Sequence, residues 1–184
     1  MQEKGSIFII SGPSGAGKNA VYDGLTSKNG DIAQTISVTT RAPRCGEVNG
    51  VDYYFVSREE FLRRVKLNEF IEYVNYGENY YGTLKSEVDR LLGENKKIIL
   101  VIDVRGAFNI KNVYPDATTI FIVPPSVEEL RRRIVCRGEN NSAEVELRLK
   151  IALEELKQCD KYDYCVVNDK LEDCIKEINN IIYN

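Results

Sequence analysis

Histidine is absent from this 184-residue chain. That absence excludes every Ser-His-Asp or Cys-His nucleophilic scheme, and histidine-based zinc hydrolysis with them. Cysteine is sparse: Cys45, Cys136, Cys159, Cys165 and Cys174 include no CxxC pair, and an odd number speaks against a full disulfide framework. The pattern predicts free thiols in a reducing compartment. No long hydrophobic run is present, the longest aliphatic stretch being residues 98–102, far short of a membrane span. The opening Met-Gln-Glu-Lys-Gly-Ser lacks the basic end and apolar stretch of a signal peptide, so a cytoplasmic protein without membrane partners is expected. Neither sign of charge dominates: Lys plus Arg is 25, Asp plus Glu is 28, and the formal net charge is −3. Such a balance argues against a nucleic-acid partner but leaves room for a local basic groove that holds a small anion.

What is present reads as one ordinary globular domain, 43% hydrophobic and 29% charged. A chain of this length buries about 70% of its unfolded surface and needs no metal or disulfide staple. Short apolar runs at residues 7–10, 98–102, 120–123 and 164–167 are continuous, not alternating, as in parallel strands buried on both faces. Helical patterns fall between them. Ser57-Arg58-Glu59-Glu60 and Ser126-Val127-Glu128-Glu129 are capping boxes, and Leu171, Ile175, Ile178 and Ile182 form one stripe of a closing helix. This alternation means an α/β fold with a parallel sheet. Residues 37–83 interrupt it with a polar, turn-rich stretch holding six of the eleven tyrosines, read as a lobe with its own small sheet. A second excursion, residues 126–155, is rich in arginine and reads as a helical hairpin or lid; residues 1–36, 84–125 and 156–184 form the core.

Directly after the first apolar run comes Gly12-Pro13-Ser14-Gly15-Ala16-Gly17-Lys18-Asn19, followed by Ala20. It fits the phosphate-binding pattern GxxxxGK in all but its last position. Glycines let backbone N–H groups turn inward around an anion, the following helix directs its positive end at the same point, and Lys18 reaches the β and γ phosphates. Where the pattern asks for a Ser or Thr hydroxyl facing Mg²⁺, the chain has Asn19, a doubtful ligand that would leave the ion held mostly by phosphates and water. The run 98–102 ends in Asp103, placed like the acid that commonly emerges beside such a loop.

The chain resembles guanylate kinases along nearly its whole length. The resemblance rests on the glycine-rich loop and on residues 37–55, which contain TTRxPRxGEVxGxDYxF. It continues through Phe70-Ile71-Glu72-Tyr73, Tyr80-Tyr81-Gly82-Thr83, Ile102-Asp103-Val104-Arg105-Gly106, Pro124-Pro125-Ser126 and Val167-Asn168-Asp169. The resemblance implies a P-loop kinase with a three-layer α/β/α core, an inserted mixed α/β GMP-binding lobe and a helical lid. It implies direct in-line transfer from ATP to GMP with Mg²⁺, ATP and GMP being the small-molecule partners. By position, Arg41, Arg44, Tyr53 and Tyr81 would grip the GMP phosphate, and Glu72 would read guanine. Ser37 and Thr83 would bond the base or phosphate, Asp103 would lie near the guanine amino group, and Glu47 would support the cluster. Lys18, Arg41, Arg133, Arg137 and Arg148 would neutralise charge during transfer, and Asn168 would lie beside adenine. Arg131 and Arg132 have no such match and read as a solvated helix face. Two departures, Asn19 and Val101 (where many relatives carry an acid on the strand face shared with residue 103), keep open a catalytically weak or inactive nucleotide- or protein-binding module.

Overall fold

The computed structural model describes residues 5–136 and 142–184. In chain order the elements are β1 (Ser6–Ser11), α1 (Lys18–Lys28), β2 (Ile32–Ala33), β3 (Val38–Thr39), β4 (Tyr54–Phe55) and α2 (Arg58–Lys66). Then come β5 (Phe70–Tyr76), β6 (Asn79–Leu84), α3 (Lys85–Gly93), β7 (Lys97–Val101), α4 (Val104–Val113) and β8 (Thr118–Val123). The chain closes with α5 (Val127–Val135), α6 (Ser142–Leu156), a 3₁₀ turn at Cys159–Lys161, β9 (Tyr164–Val167) and α7 (Leu171–Tyr183).

Five strands form a parallel sheet in the order β2-β7-β1-β8-β9, so the first strand is central. Its side chains serve two cores. Phe8 and Ile10 pack with Val21 and Leu25 of α1 and Ile175, Ile178 and Ile182 of α7. Ile7 and Ile9 pack on the opposite face with Val88 and Leu91 of α3 and Val104, Ala107 and Ile110 of α4. Strands apolar on both faces thus produce three layers, α/β/α. From β1 the chain crosses to β2 on one side, and after β7 it passes to β8 on the other side of β1; ligands in open α/β sheets bind at such a switch point.

A separate four-stranded sheet, β4-β3-β6-β5, is mixed: β3 and β4 are parallel, while β6 runs antiparallel to both β3 and β5. Its own core is Val38, Phe61, Phe70 and Leu84, with the Phe61 and Phe70 rings stacked at 4.4 Å. Helices α5 and α6 pack on each other through Leu130, Ile134, Val145, Leu149 and Ala152. Both serines cap their helices, Ser57 Oγ accepting from the Glu60 amide and Ser126 Oγ from the Glu129 amide, each at 3.1 Å, but the Glu60 and Glu129 carboxylates are taken by arginines one turn on, so the reciprocal half of each box is not seen.

Three local readings are corrected. Run 164–167 is not buried on both faces; β9 is an edge strand pairing only with β8, and Val166 alone is buried. Leu171 lies on the first turn of α7 and is exposed, so the buried stripe begins at Cys174. Cys159 and Cys165 are not free thiols but a disulfide, with Cα atoms 6.2 Å apart. The 3₁₀ turn folds the chain back before β9 and brings the pair within bonding reach, a proximity that CxxC spacing does not describe. Cys45, Cys136 and Cys174 are free.

Candidate active site

The glycine-rich loop leaves the central strand and turns into α1. Gly12 has φ 144° and Gly17 φ 92°, conformations that L side chains rarely adopt. A Cβ on Gly12 would collide with the Ile122 carbonyl oxygen, and one on Gly17 with the Asn168 amide nitrogen. Gly17 is the N-cap of α1 and no acid stands in the first turn, so the helix itself presents a positive end to an anion. Lys18 folds back over the loop, its ammonium donating to the Gly12 carbonyl at 2.6 Å and the Pro13 carbonyl at 3.1 Å. Ala16 is fully buried. Gly12, Ser14, Gly15, Gly17, Lys18 and Asn19 line a cavity of about 420 Å³, closed from other sides by Asp103, Arg148 and Glu155.

A second cavity, about 690 Å³, shares the wall Val101, Ile102 and Asp103 with the first. Glu72 faces it from β5, together with Lys85 and Asn109. Thr83 of β6, across the ladder, donates to the Glu72 carboxylate at 2.9 Å. Burial pushes the Glu72 carboxyl above its ordinary range, and the nearby Asp103 adds to this, while the Thr83 bond acts the other way. Asp103 does not share a strand face with Val101 as expected. The strand ends at Val101, and Asp103 is the N-cap of α4, its carboxylate accepting from the Gly106 amide at 2.7 Å.

Beyond β6 lies an aromatic and basic cluster. Arg41 pairs bidentately with Glu47, at 3.0 and 2.8 Å, and its guanidinium stands 5.5 Å from the Tyr53 ring centre. Tyr53 and Tyr81 meet edge to face at 6.1 Å. Glu47 also accepts from the Arg44 amide at 2.7 Å, and the Arg41 bonds first, then that amide, hold its carboxyl below the usual range. The Arg44 side chain is exposed; Ser37 is half-buried where the chain enters β3.

Arg133, on α5, is anchored: its Nε donates to Glu129 at 2.7 Å and its NH2 to the Asn168 carbonyl at 3.0 Å. Arg132 and then Arg133 lower the Glu129 carboxyl to about 2. Buried Asn168 holds the loop from behind, its amide donating to the Ala16 carbonyl at 2.8 Å. Ala20, Arg132, Arg133 and Asn168 line a third cavity of about 350 Å³ on the far side of the loop from Asp103. Arg131 pairs with Glu146 across the hairpin, and Arg132 is exposed. Arg148, on α6, faces the loop cavity and lies 3.8 Å from Glu144. Arg137 lies outside the described residues.

Among the described residues no group of three or more His, Cys, Asp or Glu side chains could enclose a metal ion. The side chains around the loop cavity nevertheless include the oxygen donors Asn19, Asp103 and Glu155. Hard oxygen donors too few for a cage suit an ion that arrives with phosphates and keeps water ligands. Sequence reasoning missed Glu155; its one signal is a position seven residues after Arg148, on the same helix face.

The guanylate kinase family model matches residues 4–184. A guanylate kinase of Clostridium perfringens is 46% identical over 179 residues, 97% of this chain and 83% of the relative. One of Bacillus subtilis is 43% identical over 99% of this chain and 90% of its own length. The crystal structure of guanylate kinase from Anaplasma phagocytophilum superposes with a TM-score of 0.73 at 38% identity, covering all of this chain and 87% of that one. Loop, paired cavities and whole-length similarity agree, and the chain belongs to the guanylate kinase family.

Proposed function

We propose that the two cavities sharing the 101–103 wall receive the donor and acceptor phosphates of ATP + GMP ⇌ ADP + GDP, the reaction of an ATP:GMP phosphotransferase. The observation that carries this is the shared wall itself: an anion-binding loop on one side and a half-buried carboxylate suited to guanine, Glu72, on the other. Guanine N1–H and its 2-amino group are donors, so a carboxylate matches them, whereas adenine N1 is an acceptor. Ser37 and Thr83 flank that reader, and Asp103 stands toward the exocyclic amine. Arg41, Arg44, Tyr53 and Tyr81 take the GMP phosphate, with Glu47 pre-setting Arg41.

On the donor side, the amides of residues 12–20 cradle the phosphates, and Lys18 swings from its loop carbonyls to the transferring group. Arg148 approaches from the lid, and Arg133, with Arg137, completes the charge around the nucleotide. Asn168 borders the adenine side. Mg²⁺ entering with ATP would neutralise phosphate charge near Asn19. The acceptor is a phosphate already ionised near neutral pH, so no general base is needed and the lack of histidine is no obstacle. Residues 37–83 act as the GMP-binding lobe and 126–155 as the lid, closing together to exclude water. The setting is cytoplasmic purine nucleotide metabolism, and no helix among the described residues is long and apolar enough to cross a membrane.

Steady-state phosphotransfer with GMP, AMP, UMP and CMP across a range of Mg²⁺ tests the reading. Turnover confined to GMP and dependent on Mg²⁺ is expected; binding of GMP without turnover at any Mg²⁺ concentration would establish the inactive module instead.

A further inference from the structure

We propose that Glu155 is the second carboxylate of the phosphate cavity, delivered by the lid helix to accept hydrogen bonds from the water shell of the divalent ion that accompanies ATP. The inference rests on the ATP-site reading above. Arg148, Ile151 and Glu155 recur at helical spacing along one face of α6, and all three line the cavity opposite Gly12, Lys18 and Asn19. Arg148 on that face suits a phosphate chain. Glu155 does not: a carboxylate beside a polyanion is repelled unless a cation lies between them.

On the core side the side-chain oxygen donors are few, the Asn19 amide and Asp103 among them. Val101 contributes none, and the Asp103 carboxylate caps α4 through the Gly106 amide. The lid side therefore supplies the acid that the strand lacks. Ser11 Oγ and the Tyr162 hydroxyl are both buried. The Tyr162 hydroxyl stands beside Ser11, in the field of Asp103 and Glu155. Because Glu155 rides on α6, metal binding and lid position become coupled.

The test is calorimetric binding of a non-hydrolysable β,γ-imido ATP analogue, with Mg²⁺ and with EDTA, to the parent and to Glu155→Gln. Removal of a group that holds a metal ligand in place costs about 10-fold or more in metal-dependent affinity. The expected result is that the Mg²⁺-dependent gain in analogue affinity falls by about 10-fold, while metal-free affinity holds or improves. Equal losses with and without Mg²⁺ would mean that Glu155 only supports the lid, and would overturn the proposal. Equal gains in both would overturn it too, showing that Glu155 merely competed with phosphate for Lys18 or Arg148. Glu155→Asp, which keeps the charge on a shorter arm, should fall between parent and Gln, and it carries the same test if the Gln variant does not fold. Turnover of GMP by the parent, measured separately, decides the functional reading whichever way the calorimetry falls.

Discussion

Glu72 is a half-buried carboxylate with one neutral partner, Thr83, and one like charge nearby, Asp103. Its carboxyl is therefore raised, so the folded chain holds this proton more tightly than the unfolded chain does. Ionisation of Glu72 then weakens the fold as pH rises past the unfolded value, and protonation removes the guanine acceptor as pH falls through the raised one. In the parent, KM for GMP should climb toward acid at a higher pH than an ordinary glutamate would give. Glu72→Gln should lose about 10- to 100-fold in GMP affinity, the equivalent of ~1.5–3 kcal/mol for a charge-assisted pair, and lose that acid limb as well. Its melting temperature at neutral pH should not fall. An unchanged ratio of GMP to AMP use would remove Glu72 from the base site. The cysteines give a simpler measurement at the same scale. Reagent titration of the denatured, unreduced protein should count three thiols, Cys45, Cys136 and Cys174, rising to five after a dithiol reductant. Five before reduction would show the 159–165 pair open.

At the scale of the element, the strand–loop–helix unit β1–α1 works as one part because its glycines have no substitute. Gly17→Ala places a side chain at φ 92°, worth roughly 1–2 kcal/mol of strain. It also pushes the Asn168 amide off the Ala16 carbonyl, about 1 kcal/mol more. We expect a loss of about 2–3 kcal/mol in stability and weaker ATP binding with GMP binding preserved. A variant that melts with the parent would show that the loop relaxes around the new methyl group. The lid hairpin is stitched differently, by an apolar seam of Leu130, Ile134, Val145, Leu149 and Ala152 that leaves its arginines on the faces turned to solvent and to the loop. Arg133 departs from this division, since Glu129 and the Asn168 carbonyl tie it to the core before any ligand arrives.

For the molecule as a whole, the loop cavity and the Glu72 cavity are different parts joined by the 101–103 wall, and the proposed reading puts one substrate in each. Lys18→Ala should therefore abolish phosphotransfer while leaving GMP affinity nearly unchanged. Calorimetry showing parallel losses of rate and GMP affinity would contradict the separation of sites. The lobe also has its own small core around Phe61 and Phe70, while Ile71 of β5 packs into the core beneath the parallel sheet. Glu87, buried at the start of α3, accepts from the Ile36 amide at 3.4 Å and from Arg90, just where the chain enters and leaves that lobe.

Local patterns in the sequence were enough for the glycine-rich loop, both serine N-caps, the central strands and the α/β class. Each depends on residues within one turn or one strand, and short-range sterics and apolar periodicity act at that range. Family motifs carried the candidate nucleotide residues as far as type and number. Tertiary structure decided the rest. The exposure of β9 follows from its place at the sheet edge, which 164–167 does not encode. Asp103 became a helix cap because β7 stops at Val101, and the disulfide formed because a 3₁₀ turn doubles the chain back. Asn168 holds Ala16 across 152 residues of sequence, and Glu155 meets the glycine loop only after α6 folds onto α5. Contacts of that reach depend on how whole layers pack, and no window of local sequence contains them.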